Sequence, residues 1–222
     1  MPENSPDPLL ICISGGDGSG KSTQVAALEK QLTDRGIHTA TATIWDPFTD
    51  PFVAERLPFR TREDVFAYVR ILGPGARGYF LFHWMRLAFD RALAHSPNIL
   101  LINAYWYKYF ATEIAHGADP KTLRSWTEGF PAPHHTFYLR LTPETALSRK
   151  QDRSDYESGY GDEHTFIQFQ HHSLKTLDAL SQEFSWTPLD ATLPPDELTT
   201  TILTALDLAS TVAVAPAERI TG

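Results

Sequence analysis

A chain of 222 residues, 42% of them hydrophobic, has the material for one large domain with a full core. Its formal charge of −8 at pH 7 argues against a general nucleic-acid binder, whose surface must attract a phosphate backbone. The single cysteine, Cys12, excludes an intrachain disulfide, and no apolar run approaches transmembrane length, so a soluble cytoplasmic protein without a membrane partner is expected.

Residues 1–8 are polar and Pro-rich, unlike a signal peptide, and read as a flexible leader. The apolar run Leu9 to Ile13 then reads as a strand, with Cys12 turned into its core side. Gly15-Gly16-Asp17-Gly18-Ser19-Gly20-Lys21-Ser22 fits G-x-x-x-x-G-K-[ST], and Thr23 follows. Behind it Val25, Leu28 and Leu32 recur at helical spacing up to Arg35 and Gly36. Strand, glycine loop and helix is the arrangement that aims backbone N–H groups and a helix N-terminus at one anion. The expectation is a bound nucleoside triphosphate, with Lys21 on its β- and γ-phosphates and the Ser22 hydroxyl on Mg²⁺.

His38 to Trp45 is rich in β-branched residues and predicts a second strand, broken by Asp46-Pro47. Patchy helical signal from Val53 to Val69 carries Arg56, Arg60 and Arg62 and ends before Gly73-Pro74-Gly75. Residues 76–95 form the longest helical pattern, apolar on nearly every side from Phe80 to Phe89, with Arg86 in its middle. A buried arginine needs a carboxylate or a ligand, and no evident carboxylate marks the local pattern.

Asn98 to Ile102 reads as a central parallel strand closed by Asn103, at the sheet end where such folds place ligands. The aromatic stretch from Tyr105 to Phe110, including Lys108, leads a helix to His116-Gly117. Asp119-Pro120 opens another, His135 to Leu141 reads as a fourth strand, and Thr142-Pro143 starts the next helix. Residues 149–162 are charged and end in glycines, like a mobile cover between helices. A helix over 163–184, a weak strand over 186–190, a helix from Pro195 and a flexible tail over 211–222 complete the chain. The sum is one α/β domain, residues 9–210, doubly wound around a parallel sheet of about five strands. His134-His135 and His171-His172 lack a carboxylate or cysteine at ligand spacing and are read as surface residues.

The order of these pieces resembles the thymidylate kinase branch of the P-loop nucleoside monophosphate kinases, from Leu9 to about Leu208. The resemblance rests on Gly16 to Gln24, on Leu81-Phe82-His83-Trp84-Met85-Arg86 beside that family's L-F-x-x-D-R helix, and on Leu189-Asp190-Ala191-Thr192 with Pro195-Asp196-Glu197. It implies a P-loop fold with a lid, ATP and Mg²⁺ as cofactors, small nucleotide substrates and phosphoryl transfer to a nucleoside monophosphate, dTMP first. It places Phe82 on the acceptor base, Arg86 beside that base, and Asp17 near the acceptor sugar. Since the loop carries Gly18 instead of arginine, family logic puts the catalytic arginine in the lid, at Arg149 or Arg153. Related kinases pair through apolar helices, so a homodimer through the aromatic helix from residue 76 is a further expectation.

Two positions depart from the family. Its D-R-Y/H after the third strand reads Asn103-Ala104-Tyr105 here, and its R-E-P after the second reads Trp45-Asp46-Pro47. Both acceptor-phosphate arginines are missing. Asp46 keeps an acid that could assist the metal, Asn103 and Tyr105 keep hydrogen-bonding capacity, and Lys108, Arg56 and Arg60 are the candidate replacement cations. Three readings stand: a monophosphate kinase, a kinase of the same fold with another acceptor, and a nucleotide-binding protein without catalysis.

Overall fold

The structure, a computed structural model, describes residues 7–149 and 155–206. Five parallel strands, β1 (Leu9–Gly15), β2 (Thr39–Ala42), β3 (Ile99–Asn103), β4 (His135–Arg140) and β5 (Thr187–Asp190), lie in the order β2-β3-β1-β4-β5. The described helices are α1 (Lys21–Asp34), α2 (Pro51–Ala54), α3 (Arg62–Ile71), α4 (Pro74–Leu93) and α5 (Tyr105–Ala115), followed by α6 (Pro120–Thr127), α7 (Pro143–Arg149), α8 (Glu163–Glu183) and α9 (Pro195–Ala205). This is the doubly wound five-stranded parallel sheet of the P-loop kinases that the sequence predicted.

Alternation along each strand builds two cores. Leu10, Cys12, Leu100, Ile102 and Tyr138 face α4, α5 and α8, whereas Ile11, Ile13, Leu101, Phe137 and Leu139 face α1 and α9. All of these are buried, and each large aliphatic side chain contributes about 1.5–3 kcal/mol by leaving water. Burial also pushes the Cys12 thiol far above its ordinary pKa, so it packs as a small apolar group.

The differences from the predicted elements have local causes. Strand β2 stops at Ala42 because the Asp46 carboxylate takes the Thr43 amide (2.6 Å) and hydroxyl (2.8 Å) and starts a 3₁₀ turn. The patchy signal over 53–69 is two helices. Asp50 caps α2, and Thr61 with Asp64 forms a capping box on α3. The register pairs Ile13 with Asn103, which sets the carboxyl ends of β1 and β3 side by side where the strand order reverses.

Candidate active site

The Gly15–Thr23 loop joins β1 to α1 at that reversal. A Cβ at Gly15 would sit 2.5 Å from Ser19 Oγ and 2.8 Å from the Leu139 carbonyl oxygen, so only glycine lets the chain turn against β4. Gly20, with φ 92°, is the N-cap of α1 and no side chain caps the helix, which leaves its first amides for an anion. Lys21 crosses the loop and donates to the Gly16 carbonyl at 2.6 Å. Asn103 Nδ2 donates to Ser22 Oγ at 3.0 Å, which ties the serine hydroxyl to the carboxyl end of β3. Ser19 Oγ is buried without a hydrogen-bond partner.

The loop opens into a cavity of about 310 Å³ that also meets Thr43, Trp45, Asn103, Lys108, Tyr109 and Glu157. A second cavity of about 90 Å³ adjoins it, walled by Trp45, Phe66, Phe80, Trp84, Tyr109 and Tyr156. Lys108 and Asp17 form an ion pair across the mouth, and Gln170 Nε2 reaches the other Asp17 oxygen at 3.3 Å. Burial works against the Lys108 charge, but the carboxylates of Asp17 and Glu157 hold its ammonium well above the ordinary range. Burial instead raises Asp46, against the pull of its bonds to Thr43.

Between Asn103 and the second residue of α5 the chain passes through two residues of positive φ, the N-cap Ala104 (φ 67°, ψ −33°) and Tyr105 (φ 56°), the first residue of the helix. Neither is glycine, so the turn stores about 1–3 kcal/mol per residue, beside the cleft that Ala104 lines. The Ala104 amide bonds to the Ile13 carbonyl at 2.9 Å, which holds this turn on the loop strand.

The structure brings together Asp17, Lys21, Ser22, Asn103 and Lys108, and sets others aside. Phe82 does not line either cavity; it is buried against Trp126 and Phe130, on the other side of α4 from Phe80 and Trp84. Arg86 is also outside them, and the inference that it lacks a carboxylate is corrected: it pairs with Asp90 one turn on, at 2.8 Å, and donates to the Gly129 carbonyl. The Glu/Asp-at-four spacing could have shown this. Tyr105 is fully buried, its hydroxyl donating to the Pro131 carbonyl at 2.9 Å. Asp46 spends both oxygens on Thr43 and lines a different surface groove. Arg56 donates to Phe52 O at 2.7 Å, and neither it nor Arg60 lines the cleft. Arg149 ends α7 with Nη1 donating to the Ala191 carbonyl at 2.9 Å. Arg153 and most of the predicted cover's first half lie outside the described residues.

Sequence reasoning passed over the wall of the small cavity. Phe66, Phe80, Trp84 and Tyr156 look like ordinary core residues in the sequence, and Glu157 looks like one more charge in the cover. Behind that wall, Arg77 Nε meets both Glu113 oxygens at 2.9 Å, and Tyr156 hydroxyl joins Glu113 at 2.9 Å and Thr112 at 2.7 Å. This buried cluster ties Tyr156, inside the segment the sequence marked as a cover, to α4 and α5. Among the described residues, His134 Nδ1 accepts from the Leu10 amide, His171 meets Glu144, and no helix is long and apolar enough to cross a membrane.

A parallel sheet carrying a phosphate-type loop at its switch point, with a second pocket beside it, defines a P-loop kinase of nucleosides or nucleotides. No family model matches the chain. Thymidylate kinase from Chlorobaculum parvum is 30% identical over 222 residues, covering 89% of this chain and 95% of its own. The chain belongs to the thymidylate kinase family, as a nucleoside monophosphate kinase-like enzyme. Two solved structures share the fold at 18% identity. Thymidylate kinase from Candida albicans aligns with a TM-score of 0.65 over 92% of this chain and 93% of its own. Deoxyadenosine kinase from M. mycoides, solved with bound dATP, aligns with a TM-score of 0.59 over 89% and 99%.

Proposed function

We propose that the chain is an ATP- and Mg²⁺-dependent phosphotransferase that delivers the γ-phosphoryl group from the Gly15–Thr23 loop to an acceptor in the adjoining aromatic pocket. The observation that carries this is the continuity of the two cavities, which share Ile44, Trp45, Lys108, Tyr109 and Glu157. The uncapped α1 amides and the unpartnered Ser19 hydroxyl fit a triphosphate, and Ser22 Oγ, oriented by Asn103, fits a Mg²⁺ ligand. When bound, ATP supplies the transferable group and Mg²⁺ offsets its charge. Lys21 would hold the β- and γ-phosphates, and the aromatic walls would seat a planar ring and exclude water from the transfer. Arg149, and Arg153 beyond it, would add positive charge from the lid side.

The relatives' name makes dTMP the first acceptor to test, and the cleft suits it poorly. Trp45 and Ala104 occupy the places where the family resemblance puts arginines, and Lys108, the cation facing the acceptor side, is already engaged by Asp17. Each missing bidentate arginine contact removes about 1.5–3 kcal/mol, roughly ten- to a hundred-fold in binding. A kinase acting on a different acceptor is therefore the second reading. Release of ADP from ATP and Mg²⁺, measured across a panel of nucleotides and uncharged acceptors, decides between them. We expect acceptor-dependent ADP release with dTMP among the weak acceptors. Efficient turnover of dTMP at micromolar concentration would restore the ordinary family substrate.

A further inference from the structure

We infer that Gln170, on α8, is a positioning residue of the transfer site: its amide ties the donor loop to the segment that follows α7 and sets two carboxylates around Lys108. The inference rests on the phosphotransferase reading above and adds to it a residue that lines neither cavity.

Helix α8 turns Phe166, Phe169, Gln170, Ser173, Leu177 and Leu180 into the protein. Packing alone asks for an apolar side chain at the third of these positions. A glutamine only 2% exposed is costly there unless its polar atoms find partners. Its Nε2 finds two. It donates to Asp17 Oδ2 at 3.3 Å and to the Glu157 carbonyl oxygen at 2.9 Å. Both hydrogens of the amide are then spent, one on a residue 153 positions away and one on a residue 13 positions away. The two bonds account for the amide.

The contact with the loop is close. A Cβ at Gly16 would sit 2.9 Å from Leu174 Cδ2 and 3.7 Å from Gln170 Oε1, so α8 runs directly against the loop backbone. Asp17 is 6% exposed, and little water stands ready to replace the donor that Gln170 supplies.

What Gln170 holds is the junction of the two cavities. The other oxygen of Asp17 pairs with Lys108 from α5, and Glu157 lines both cavities beside the same lysine. Both carboxylates act on the Lys108 ammonium. Gln170 therefore places one counter-charge through its side chain and the other through its backbone. Releasing it lets Asp17 and Glu157 drift relative to Lys108, while Lys21 and Ser22 keep their own bonds to Gly16 and Asn103. The acceptor side loosens and the donor side stays. A misplacement of about 1 Å between reacting groups is enough to slow transfer severely.

The test uses the full-length protein and two variants. Gln170→Met keeps the length of the side chain and deletes the donor, and Gln170→Glu keeps its shape and puts an oxygen where the donor nitrogen was. Three quantities are measured: the dissociation constant of ATP with Mg²⁺ by calorimetry, kcat/KM for the best acceptor among dTMP and the other deoxynucleoside monophosphates, and amide exchange at Gly159, Tyr160 and Gly161. Those three amides bond back to Tyr156, Asp155 and Ser158, on either side of the Glu157 carbonyl. We expect both variants to lower kcat/KM about ten-fold, to change the ATP dissociation constant by less than about two-fold, and to speed exchange about ten-fold. Unchanged exchange in both variants shows that Gln170 does not hold the segment and overturns the inference, whatever the kinetics. Faster exchange with unchanged kcat/KM overturns it too, since the tie then has no effect on transfer. Equal losses of ATP affinity and of kcat/KM assign Gln170 to the fold in general and likewise overturn it. All three outcomes leave the phosphotransferase reading standing. Absence of transfer from the unaltered protein to every acceptor removes that reading, and the role of Gln170 with it.

Discussion

At the residue scale, each chemical group in the cleft follows from a short-range reason. Lys21 is held over its loop by the Gly16 carbonyl, and Asn103 is aimed at Ser22 by the register between β1 and β3. The loop residues were legible in the sequence because the motif states a backbone shape, and that shape admits few residue types. Phe82 and Arg86 were not legible in the same way. Helix α4 is apolar on nearly every side, so periodicity cannot say which aromatic residue turns toward the sheet edge and which toward α6. Tertiary packing chose Phe80 and Trp84 for the cleft and Phe82 for the core. Arg149 is the residue whose role is most open to kinetics. It lines neither cavity, and one of its N–H groups is spent on the Ala191 carbonyl, so a catalytic role requires the arginine to turn its remaining donors toward the loop. Arg149→Ala is expected to lower kcat by about a hundred-fold with a smaller change in the KM for ATP. Steady-state kinetics with ATP varied would show it, and a change confined to KM would place Arg149 in ground-state binding.

At the element scale, the cleft is a joint between pieces that are far apart in the chain. The turn at Ala104 joins β3 to Tyr105, the first residue of α5, and the bond from the Ala104 amide to Ile13 locks it to the loop strand. The sequence marked this turn only as a departure from a family pattern; its backbone strain has no signature in residue type, since alanine and tyrosine rarely adopt positive φ. The segment the sequence marked as a cover is held in turn at Tyr156, whose hydroxyl bonds Glu113 on α5 while Arg77 on α4 pairs with the same carboxylate. Arg77 and Glu113 stand 36 positions apart, so no local pattern could have paired them. Their side chains are only 5% and 0% exposed, and removing one partner strands a buried charge. Glu113→Ala is expected to cost about 3–5 kcal/mol in chemical denaturation. A loss below about 1 kcal/mol would mean that the cluster is solvated and does not anchor the cover.

At the scale of the whole molecule, the sheet order brings the loop, the strained turn and the aromatic wall to one edge. The central strands were readable from the sequence, since β1 and β3 are short, continuous apolar runs buried on both faces. The proposed function takes the loop carrying Lys21 as the donor side and the adjoining aromatic cavity as the acceptor side, and every assignment in that proposal depends on the first of these. The most direct measurement is therefore acceptor-dependent release of ADP from ATP and Mg²⁺, compared between the unaltered protein and Lys21→Ala, with both folds checked by circular dichroism. The account predicts transfer in the unaltered protein and its loss by about a thousand-fold or more in Lys21→Ala, with the fold unchanged. Transfer by Lys21→Ala at the rate of the unaltered protein would contradict it.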